Sequence, residues 1–115
     1  MFKFSNKLFL RIFHIFFVGP LFLYIGIVQK KMPYFLYNII LFLAVFIFFF
    51  HVYKAFVRFA QGYTIWVNLF HILVITPLLF IIGIYRKKTP RYIFEFILML
   101  SFSAIGYHGY YLFNN

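Results

Sequence analysis

FHIFFVGPLFLYIGIVQKKMP, residues 13–33, returns as FHILVITPLLFIIGIYRKKTP, residues 70–90, 57 positions further along the chain. Each copy is a long apolar run with one histidine near its start, a proline inside it, and a terminal Lys-Lys-x-Pro. A helix rises 1.5 Å per residue, so a run of about 20 residues matches a hydrocarbon layer about 30 Å thick. Extended without a gap, the match lays Arg11–Phe56 on Asn68–Phe113, with 17 of 46 pairs identical. Apolar composition alone would pair many Phe, Ile and Leu positions. It does not account for His14/His71, His51/His108, Pro20/Pro77, Pro33/Pro90 and Lys30-Lys31/Lys87-Lys88. A second apolar run follows each Lys-Lys-x-Pro, so the repeating unit reads as a helical hairpin bent at its lysines.

Composition agrees with this reading. Of 115 residues, 66% are hydrophobic, 28% aromatic and 10% charged, with no cysteine. A soluble domain carries about 25% charged residues, so a water-soluble globule is excluded. The missing cysteines exclude disulfides, thiolate metal sites and thiol catalysis. Four apolar stretches cover about 9–28, 34–55, 65–85 and 92–113. They are continuous rather than alternating, and a membrane barrel needs at least about eight strands, so helices are expected. Short connectors make neighbours antiparallel. The expected fold is an all-α, integral membrane four-helix bundle made by tandem duplication of a transmembrane hairpin. Repeat one covers about 8–56 and repeat two about 65–113, within a single membrane domain, 1–115. Two helices per unit put the expected pseudo-two-fold axis along the membrane normal.

The net charge of +10 first suggests nucleic acid, but its placement argues for a bilayer. Lys30, Lys31, Arg86, Lys87, Lys88 and Arg91 lie in two connectors, and Lys3, Lys7, Arg11, Lys54 and Arg58 flank the other ends. Cations bracketing apolar runs reach for headgroups. The six on the connector side against five opposite lean towards a cytosolic connector side. No small-x-small cleavage site follows the first run, which Pro20 interrupts, so it reads as a span and not a cleaved leader. The pattern P-L-x-x-x-I-G-I-x-x-K-K-x-P, followed by a helix ending in His-x-Tyr, resembles small membrane proteins of large DNA viruses of algae and of environmental sequences. That resemblance implies a class of protein and no activity.

Chemistry narrows to few residues. The four histidines are two repeat pairs, His14/His71 and His51/His108. His14 precedes the bend at Lys31 by 17 residues and His51 follows it by 20, so in an antiparallel hairpin they share a depth. All four are expected in one layer, on the order of 7–9 Å from the midplane. Polar groups at such depth are costly and commonly functional. Small or polar residues mark helix contacts in lipid, and Ser101, Ala104 and His108 form one stripe, as do Ala44, Ile47 and His51. His51 and His108 are therefore expected to face each other. Four imidazoles could relay protons or cations, bind copper or zinc, or give axial ligands to haem b.

The secondary polar candidates are Glu95, Asn38 and Asn68. Glu95, the one acid, is expected to pair with Arg91 one turn before it. Pro20 and Pro77 are expected to kink their helices and free the carbonyls of Phe16 and Leu73. No Ser-His-Asp set or phosphate loop is present, so an enzyme is not expected. Three readings stand: a proton or cation pathway, a haem- or metal-binding membrane protein, or a structural subunit of a larger membrane complex or homo-oligomer.

Overall fold

A computed structural model describes residues 6–114. Lys3 lies outside the described residues. Four helices are long and apolar enough to cross a membrane: α1 (Lys7–Lys31), α2 (Tyr34–Ala60), α3 (Trp66–Lys88) and α4 (Arg91–Phe113). Among the described residues there is no strand.

The bends follow from local chemistry. α1 and α3 close in a tightened turn over Gln29–Lys31 and Arg86–Lys88. Gln29 and Arg86, repeat partners, both take a positive φ, 58° and 54°. Pro33 and Pro90 then hold φ near −60°, and their carbonyls accept from Leu36 and Ile93, starting α2 and α4. Between α2 and α3 the chain turns at Gly62, whose φ of 81° suits glycine at a helix C-terminus. The Tyr63 amide returns to the Arg58 carbonyl at 2.9 Å, and Arg58 Nε donates to the Thr64 carbonyl at 3.1 Å.

The chain forms two compact units, Met1–Gln29 with Pro90–Asn115, and Lys30–Thr89. In the first, α1 packs on α4; in the second, α2 packs on α3. Each unit thus takes one helix from each sequence repeat, and the packing unit is not the repeated hairpin.

Buried positions correspond through the repeat. On α1 they include Gly19, Phe22, Ile25 and Gly26; on α3, Thr76, Leu79, Ile82 and Gly83. On α4 Phe94, Ile97, Ser101 and His108 are buried; on α2, Tyr37, Ile40 and Ala44. Glycine is needed where backbones nearly touch. A Cβ on Gly26 would stand 2.6 Å from Leu98 Cβ, and one on Gly83 would stand 2.9 Å from Leu41 Cβ. Leu41 and Leu98 are themselves repeat partners, so the same close contact is built once in each unit.

Candidate functional site

Each unit brings two histidines together. In the first, the rings of His14 and His108 stack with centroids 4.3 Å apart and planes 29° apart. In the second, His51 and His71 stack at 4.0 Å and 13°. Within the units, then, His108 stacks on His14, and His51 on His71. Along the two stripes, Ser101 and Ala44 are fully buried and His108 nearly so, while Ala104, Ile47 and His51 are half-buried.

Backbone geometry sets where each ring points. His14 and His71 each open a π-helical turn, His14–Val18 and His71–Ile75, in which the Gly19 and Thr76 amides reach back to the His14 and His71 carbonyls. A π turn adds one residue to the helix and commonly marks functional sites. It ends two residues before Pro20 and Pro77, the second residues of the α-helical segments that follow. This corrects the carbonyls expected to be freed. In the wider register the missing proline amide would have met Ile15 or Ile72, not Phe16 or Leu73. Thr76 Oγ1 donates to the Ile72 carbonyl at 2.8 Å, supplying that lost bond in one copy. Gly19 stands at the matching position of α1, hard against Ile105. Thr76 was absent from the sequence expectation; its signal is a hydroxyl residue immediately before a mid-helix proline.

The ring nitrogens are also fixed. His14 Nδ1 donates to the Leu10 carbonyl at 2.7 Å, and His71 Nδ1 to the Val67 carbonyl at 2.8 Å. A carbonyl only accepts, so Nδ1 carries the proton in both, and Nε2 of the neutral ring keeps its lone pair. His51 Nδ1 lies 2.9 Å from Oδ1 of buried Asn68 and takes the same role. The aromatic residue before each histidine stands edge-on to it: Phe13, Phe50, Phe70 and Tyr107.

The two stacks differ in one neighbour. The repeat partner of Asn68 is Arg11, a donor only, whose guanidinium lies 4.9 Å over the Tyr111 ring. The other polar candidates stand at the opposite helix ends. Glu95 pairs with Arg91 at 3.4 Å, as expected, with both side chains largely exposed. Asn38, its repeat partner, accepts from Arg86 Nη2 at 2.5 Å.

Among the described residues no group of three or more His, Cys, Asp or Glu could hold a metal ion. Each unit thus places two protonatable rings in contact, and in His14, His51 and His71 the Nδ1–H is held by an acceptor. No family model matches the chain, and no match is found among curated proteins or solved structures.

Proposed function

We propose that this is an integral membrane protein of four spans whose histidine stacks form a proton pathway. The observation that carries the reading is the stacking of protonatable rings within about 4 Å in both units, on helices apolar enough to cross a bilayer. Ionisable groups inside such helices are expensive and mark ion or proton routes. Two imidazolium charges this close repel, so a stacked pair suits carrying one proton at a time. Asn68 supports the reading further, because its carbonyl oxygen stabilises the N–H of His51 in either protonation state. No catalytic step belongs to the proposal.

The same correspondences support tandem duplication of a hairpin as the chain's origin. The π turns, the glycine–leucine contacts, the positive-φ bends and the histidine stacks all map onto each other through the 57-residue shift.

Reconstitution tests the function. Liposomes holding a pH-sensitive dye and the wild-type protein should acidify under an imposed potential, and the His51→Ala/His71→Ala variant should not. Absent flux in the wild type, or equal flux in the variant, overturns the pathway. A second reading, a structural subunit of a larger membrane complex, is favoured by one feature of α4. A Cβ on Gly106 or Gly109 would meet nothing within 4 Å, although their repeat partners are Phe49 and Val52. Small-residue faces mark helix contacts in lipid. Crosslinking from cysteines placed at Gly106 in native membranes should then capture another polypeptide.

A further inference from the structure

The connector end of the Lys30–Thr89 unit holds five cations, Lys30, Lys31, Arg86, Lys87 and Lys88. Geometry sorts them. Arg86 is committed to Asn38. Lys87 is a brace: its Nζ donates to the carbonyls of Lys30 at 2.7 Å and Met32 at 3.1 Å, tying the second connector to the first. Its ammonium lies 4.9 Å over the Tyr34 ring and 6.0 Å from that of Tyr37. Lys30, Lys31 and Lys88 are exposed. The chain has one acidic side chain, Glu95, and Arg91 engages it, so neutralising charge for these lysines must come from outside.

A second observation points the same way. At this end two hydroxyls, those of Tyr37 and Thr89, are more than nine-tenths buried and make no hydrogen bond. A buried donor without an acceptor is costly. Clustered ammonium groups beside unsatisfied O–H donors complement an oxygen-rich anion. The helices below are apolar on their exposed faces, at Phe35, Phe42 and Ile84, where acyl chains would lie.

We propose that this end binds the phosphate of an acidic membrane phospholipid. Lys30, Lys31 and Lys88 supply the charge. Lys87 exchanges its two carbonyl acceptors for phosphate oxygens, and its departure opens the Tyr37 and Thr89 hydroxyls to the same group. The site is independent of the histidine stacks and stands whether or not they carry protons.

The test uses the full chain in mild detergent, with native mass spectrometry reading retained lipid after exchange into phosphatidylglycerol or phosphatidylcholine. The wild type should retain phosphatidylglycerol stoichiometrically and release phosphatidylcholine, and millimolar inorganic phosphate should not displace the lipid. Lys30→Gln/Lys31→Gln/Lys88→Gln should weaken retention roughly a hundredfold, at about 1 kcal/mol for each lysine near anionic headgroups. Lys7→Gln/Lys54→Gln/Arg58→Gln, which removes the same charge from the other helix ends, should leave retention intact. Tyr37→Phe keeps every charge and should cost about tenfold through the lost hydroxyl. Equal losses in the two triple variants, equal retention of the two lipids, displacement by free phosphate, or an unaffected Tyr37→Phe variant would each overturn the site.

Discussion

In a neutral imidazole, an acceptor that holds Nδ1–H leaves Nε2 as the nitrogen that can take up a proton. Here the holding groups are the carbonyls of Leu10 and Val67 and the amide of Asn68. Ring-nitrogen 15N shifts of the neutral protein should accordingly show the Nδ1–H tautomer for His14, His51 and His71; the Nε2–H form in any of them contradicts the assignment. Asn68→Ala should cost about 0.6–1.7 kcal/mol, the range for interhelical hydrogen bonds in membranes, read from thermal unfolding in detergent. The same change should slow proton flux without abolishing it. The four histidines were legible in the sequence because all of them recur as two pairs at the same 57-residue spacing. Their partners were not. Depth along a helix can be counted from a bend, but which ring meets which depends on helix pairing, and that leaves no mark in residue spacing.

Along the helices, the prolines were legible and their consequence was not. Pro20 and Pro77 announce a missing donor, yet the extra residue of a π turn changes neither hydropathy nor composition. Thr76→Val should test the repair at Ile72, losing a 2.8 Å bond at a cost of about 0.5–1.5 kcal/mol in thermal unfolding. The glycines give a sharper contrast. Gly26→Ala would force its Cβ against the Leu98 backbone at 2.8 Å and should destabilise by about 1–3 kcal/mol. Gly106→Ala meets open space and should leave stability unchanged or raise it by up to about 1 kcal/mol, since alanine is the better helix former. Equal effects at the two positions would refute the close α1–α4 approach.

For the molecule as a whole, hydropathy and charge made the four long apolar helices and their connectors legible. The exchange of partners between repeats was not, because short connectors allow either α1 or α3 beside α2. It has a direct test. A protease site placed in the Gln61–Thr64 link would divide the chain into one sequence repeat per fragment. Both compact units would be left spanning the two fragments. The cleaved halves should therefore co-purify in mild detergent; separation on cleavage would show that the α1–α4 and α2–α3 contacts do not hold the chain together.

That exchange also sets an order in time. During synthesis α2 meets its partner as soon as α3 follows it, whereas α1, made before either, has its own partner at the far end of the chain. At roughly 5–20 residues per second, the some 60 residues between them amount to about 3–12 s. Through that interval the Gly26 face of α1 lacks its α4 partner. Of the four helices, the one made first is matched last, and a slowed ribosome would lengthen its wait.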